Sequence, residues 1–176
     1  MARPSARLIT ALRETAQRLE QSDTVYRWSR FAHCNCGHLA QTITGLAPRT
    51  IEAAASRRPG DWGEQARTVA TRALLDATAE EGAFEPEAID VCNVTQRTMS
   101  EIVGALLGWG LEPVDVEALE RLSDYAVRRR LGTSTIDYPH GERQNVVAYL
   151  RAWADLLEER LDSEAASENR YRLAAE

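Results

Sequence analysis

"NVVAYLRAWADLLEERL", residues 145–161, sets Val146, Leu150, Trp153, Leu157 and Leu161 three or four positions apart. At 3.6 residues per turn that spacing lines one face of a helix, whereas a half-buried strand would need an apolar residue at every second position. The seam predicts a long helix beginning near Glu142. After Asp162 the pattern lapses in "SEAASENRYRLAAE". Residues 1–162 are therefore expected to form one helical domain, and 163–176 a tail that frays or extends the helix without packing.

The same period recurs towards the N-terminus. Leu8, Leu12, Thr15 and Leu19 share a face over about Ser5 to Gln21. Pro48 suits the first turn of "PRTIEAAASRR", and Pro113 that of a short helix carrying Val116, Leu119 and Leu122. "RRPGDWGEQ" is a break, with Asp61 placed to cap the helix bearing Ala66, Val69, Ala70, Ala73 and Leu74. Thr95 or Thr98 would cap a helix with Met99, Ile102, Val103, Leu106 and Leu107, ended by Gly108 and Gly110. Ser123 is read as the cap of "DYAVRRRLG". The acidic "EEGAFEPEAID" reads as a connecting loop. No strand alternation persists anywhere, so the fold class is all-α: a compact bundle of five to seven helices of unequal length.

Net charge is −6, which argues against a general nucleic-acid binder. All 21 basic residues are arginine, a compositional bias rather than a phosphate-binding signature. No apolar run approaches the ~20 residues that span a bilayer, and the N-terminus lacks the continuous apolar core of a secretory signal, so a cytoplasmic protein with no membrane partner is expected. Three cysteines are an odd count, and a bond between Cys34 and Cys36 would close a strained loop; reduced thiols fit better.

The chemical question is concentrated in "FAHCNCGHLAQTIT", residues 31–44, where two cysteines and two histidines fall within six positions. Thiolate sulfur and imidazole nitrogen suit zinc and iron, zinc more than iron. The candidate ligand set is Cys34, Cys36, His38 and the distant Cys92, with Asp61 and His140 as secondary candidates. In an unbroken helix, positions 34 and 38 share a face and 36 points away, so the set converges only if the helix starts around Asn35 or Cys36. Gly37 would let the backbone turn closely around an ion. A second reading makes Cys34 or Cys36 an activated thiol of an enzyme or redox sensor, its thiolate favoured by a helix N-terminus with His38 one turn on. A third makes both cysteines small apolar core residues of a helical interaction module with a protein partner or a second copy. In that reading Trp109, between two glycines, is the residue expected at a partner surface. Phosphate loops, H-E-x-x-H and G-x-S-x-G are absent, and no substrate is indicated.

"YRWSRFAHCNCGHLAQTIT" with "GDW", "CNVT", "LERLSD" and the 145–161 seam resembles a group of small uncharacterised bacterial helical proteins carrying a CNCG(x)LAQ motif. The likeness covers most of the chain, with Cys34, Cys36, Gly37, Gln41 and Cys92 on its motifs. It implies a bacterial helical protein and supplies no mechanism.

Overall fold

The computed structural model describes residues 1–78, 97–133, 139 and 141–174. Among them the chain is all-helical: α1 (Ala6–Glu20), α2 (Asn35–Thr44), α3 (Pro48–Ala55), α4 (Trp62–Thr78), α5 (Met99–Gly108), α6 (Pro113–Arg121), α7 (Tyr125–Arg130) and α8 (Arg143–Ala174). Eight helices among the described residues exceed the expected five to seven. The excess comes from the short pieces, each with its own stop. Leu122 adopts a left-handed conformation (φ 50°) that separates α6 from α7, and Gly45 (φ 67°) closes α2 before Pro48 opens α3.

The helix starts follow local chemistry. Ser5 accepts the Leu8 amide at 3.3 Å. Thr98 and Glu101 form a reciprocal capping box, with Glu101 N donating to Thr98 Oγ1 at 3.0 Å and Thr98 N to Glu101 Oε2 at 2.7 Å. Asp61 accepts the Glu64 amide at 2.8 Å, as its position before the helix implied. α7 differs from expectation: its cap is Asp124, whose carboxylate takes the amides of Ala126 and Val127 at 2.9 and 3.1 Å. Ser123 instead donates its backbone N–H to Ala118 O, closing α6. A carboxylate at this place also meets the positive end of the helix dipole, which a hydroxyl does less well.

α1 and α8 run antiparallel. Arg160 reaches Ala2 O, Arg13 pairs with Asp155 and Glu158, and Arg151 with Glu20, so rising number in one helix matches falling number in the other. These pairs are exposed and screened by solvent, so they set register more than stability. The stabilisation comes from the seam beneath. Leu8, Leu12 and Leu19 of α1 and Val146, Leu150, Trp153 and Leu157 of α8 are buried, each large side chain contributing about 1.5–3 kcal/mol. α8, at 1.5 Å per residue, is about 48 Å long. Its residues Asp162 to Ala166 are exposed. α2 packs on α1, α5 and α6, and α4 on α5 and α6, so α2 sits at the centre. Tyr149 of α8 ties α6 to α7, accepting from Asp124 N at 3.0 Å and donating to Ala118 O at 3.4 Å. No helix among the described residues is long and apolar enough to cross a membrane.

Candidate functional site: the CNCGH turn

α2 begins at Asn35, with Cys34 as its N-cap in an extended conformation. Every residue from Cys34 to Ala40 is buried. What surrounds them is largely backbone. Cys34 Sγ–H donates to Phe31 O at 3.2 Å, and Cys36 Sγ–H to Val116 O of α6 at 3.4 Å. A carbonyl only accepts, so both sulfurs sit as thiols. Burial pushes the Cys34 thiol up to about 11, although the Gly37 amide and the Trp62 indole pull the other way. Burial also raises the Cys36 thiol well above the ordinary value, and the nearby Cys34 and Glu120 push the same way.

Asn35 lies between them and is fully buried. Its Nδ2 donates to Leu119 O and Glu120 O at 3.1 and 2.9 Å, satisfying carbonyls at the end of α6. Its Oδ1 accepts the Tyr26 hydroxyl at 2.7 Å. Gly37 has a steric reason for its identity. A Cβ there would lie 2.2 Å from Phe31 O and 2.5 Å from the Ala32 carbonyl. The close approach that sequence reasoning assigned to an ion is taken by the preceding loop's own backbone. That loop is held further by Trp62 Nε1–H on Phe31 O at 3.2 Å, Gln41 Nε2 on Ala32 O at 2.6 Å, and Ala32 N on Glu52 Oε1 at 3.0 Å. Phe31 and Trp62 stack with ring centroids 4.5 Å apart.

His38 Nε2 meets Val25 O at 3.1 Å, and His33 Nδ1 meets the same oxygen at 3.2 Å. The carbonyl fixes the tautomers: His38 carries its proton on Nε2 and His33 on Nδ1. His38 Nδ1 is then a buried lone pair without a hydrogen-bond partner. Burial, helped by the positive charge of Arg18, holds this imidazole down at about 4, so it is neutral at physiological pH. Arg18 donates to His38 O at 2.6 Å, and Arg143 to Gln21 O and Thr24 O, both at 3.1 Å.

Cys34, Cys36 and His38 thus address three different carbonyls, those of Phe31, Val116 and Val25. Among the described residues no group of three or more His, Cys, Asp or Glu side chains is placed to hold a metal ion. Asp61 is engaged as the α4 cap and lies 3.9 Å from Arg121. Cys92 and His140 lie outside the described residues. Sequence reasoning missed Asn35, Trp62 as an indole donor, and Glu120. Burial and the charge of Asp61 raise the Glu120 carboxyl, whose Oε2 accepts the Gly63 amide at 3.4 Å. The only signal for Asn35 was its place between two cysteines at a helix start.

The tryptophans are arranged differently from expectation. Trp109 is half-buried against the core, with the Arg7 guanidinium 5.2 Å above its ring. Trp28, on the loop before α2, is 47% exposed. Compared with protein-family models, curated proteins and solved structures, the chain finds no match.

Proposed function

We propose that the chain is a non-enzymatic helical interaction module, in which the CNCGH turn is a structural joint that fixes residues 22–33 as a recognition loop. The observation that carries this reading is the two-sided state of Val25. Its carbonyl is gripped by two imidazoles from below, while its side chain is 52% exposed. Three residues on, Trp28 is also turned outward. A loop tied down by its own hydrogen bonds loses little further entropy on association, and tryptophan is the residue type most often dominant in such contacts. The S–H form of both cysteines supports a joint in a reducing cytoplasm, and raised thiols support neither a nucleophile nor a rapid redox sensor.

The test compares wild type with Val25→Ser, Trp28→Ser and the double variant in quantitative co-purification from native cells and in self-association by sedimentation. Association that saturates with wild type and falls at least tenfold in the double variant is the expected result. Equal association by both proteins would overturn the reading.

A zinc or iron site is the second reading. It is favoured by two buried thiols within one helix start and by the unpartnered Nδ1 of His38. Loading would require both thiols to lose their protons and their carbonyl contacts, and Cys92 would have to complete the set. Metal analysis of untagged protein, with Cys34→Ser, Cys36→Ser and Cys92→Ser alongside, separates the two readings.

A further inference from the structure

We propose that the surface of Thr24 to Arg30 receives an acidic segment of a protein partner, with an apolar side chain against Val25 and Trp28 and carboxylates on Arg27 and Arg30. The proposal rests on the reading of residues 22–33 as a recognition loop and adds the chemistry of what it recognises.

Charge distribution carries the argument. The chain as a whole is at −6, yet the seven residues from Thr24 to Arg30 contain two arginines and no acid. Arg27 is exposed. Arg30 is 57% exposed, and its Nε lies 3.6 Å from Glu52 Oε1, which also takes the Ala32 amide at 3.0 Å. Two exposed guanidinium groups in a segment without an acid attract carboxylates, which gives orientation as well as affinity. Two arginines flanking a tryptophan match the composition of energetic hot spots.

The backbone beneath is set in advance. Arg27 N donates to His33 O at 3.0 Å, Arg30 N to Arg27 O at 3.0 Å, and His33 N to Arg30 O at 2.8 Å. These turns, closed within the loop, fix where the two guanidinium stems leave the backbone. Gly141, two residues before α8, lies beside the stem of Trp28: a Cβ there would be 3.8 Å from Trp28 Cβ and 3.9 Å from its Cγ. A nucleic acid is a poorer occupant. Two arginines would neutralise about two phosphates, too few to offset repulsion from the rest of the chain.

The experiment is selection of a random twelve-residue displayed peptide library on the full chain, with the selected peptides then measured by fluorescence anisotropy. Enriched sequences should place Asp or Glu on either side of an aromatic or large aliphatic residue. Trp28→Ala should weaken the best of them about 30-fold. Arg27→Gln should weaken it several-fold, and Arg27→Glu with Arg30→Glu should abolish binding and redirect selection to basic peptides; all variants are checked for unchanged helicity. Loop-dependent peptides that are neutral or basic would overturn the partner chemistry while leaving the recognition loop standing. So would tighter loop-dependent binding of a uridine oligonucleotide or of a second copy of the chain. No enrichment, or peptides indifferent to Val25 and Trp28, would overturn both.

Discussion

Replacing Gly37 by alanine puts the structural joint in direct opposition to helix propensity. Gly37 lies inside α2, where alanine is intrinsically favoured by about 1 kcal/mol. On propensity alone the variant is stabilised. The added Cβ, however, would sit 2.2 Å from Phe31 O and 2.5 Å from the Ala32 carbonyl, and both obstacles are backbone. Reaching ordinary contact near 3.5 Å needs a displacement of about 1 Å. That movement lengthens three contacts at once: Cys34 Sγ–H and Trp62 Nε1–H on Phe31 O, and Gln41 Nε2 on Ala32 O. At about 1 kcal/mol per hydrogen bond, plus about 1 kcal/mol of residual overpacking, the loss is about 4 kcal/mol. Subtracting the propensity gain leaves a destabilisation of about 3 kcal/mol. Urea unfolding followed by circular dichroism reads this as a midpoint lowered by about 1.5 M, for an m-value of about 2 kcal/mol/M. Gly104→Ala is the control, because a Cβ there meets nothing within 4 Å; it should be stabilised by about 0.5–1 kcal/mol. A Gly37→Ala protein as stable as wild type would refute the packing assigned to this turn.

Three further outcomes follow from the same joint. His38 is held neutral with a folded pKa of about 4 against about 6.5 unfolded, so the unfolded chain takes up the proton first as the pH falls. Stability from this group is complete above pH 6.5 and is lost progressively down to pH 4, by at most about 3 kcal/mol. Unfolding midpoints measured across that window should fall less in His38→Gln, and an equal fall in both proteins would show that His38 is not the cause. Asn35→Ala removes two donors from the end of α6 and the acceptor of Tyr26, which should cost about 2–4 kcal/mol by thermal or urea unfolding; a loss under 1 kcal/mol would contradict the accounting. With Cys34 at about 11, its alkylation at neutral pH should run about 300-fold slower than that of a free cysteine, judged from thiolate fraction alone. Mass-spectrometric mapping that finds Cys34 labelled at the free rate would refute the buried-thiol description.

Much of the fold was legible because its causes are local. The 145–161 seam, the Leu8–Leu19 face, the prolines opening α3 and α6, and the Thr98–Glu101 box each carry their signal within a few residues. The short α7 was harder: Ser123 and Asp124 are both good caps, and only the turn at Leu122, with φ of 50°, assigns the role to Asp124. The 31–44 stretch was recognisable as unusual, but its meaning was not. Val116 and Glu120 come to it from 80 residues away or more, and Phe31 O, Ala32 O and Val25 O reach it only because the loop folds back beneath α2. Thiol and imidazole look alike in sequence whether they face an ion or a carbonyl. Gly37 was correctly marked as a place of close approach, while the approaching atoms were the chain's own. Gly108 and Gly110 drew attention to Trp109, but Trp28, without such neighbours, is the more exposed of the two, since Arg7 comes from another helix to lie over Trp109.

The central claim is that Cys34 and Cys36 are protonated members of a structural joint. Metal content measured together with thiol titration, on untagged full chain purified under reducing conditions, tests it most directly. Thiols held in such a joint leave less than about a tenth of an equivalent of zinc or iron per chain, with Cys34 and Cys36 reacting only after denaturant is added. About one equivalent of either metal, lost in Cys34→Ser and Cys36→Ser, would contradict it.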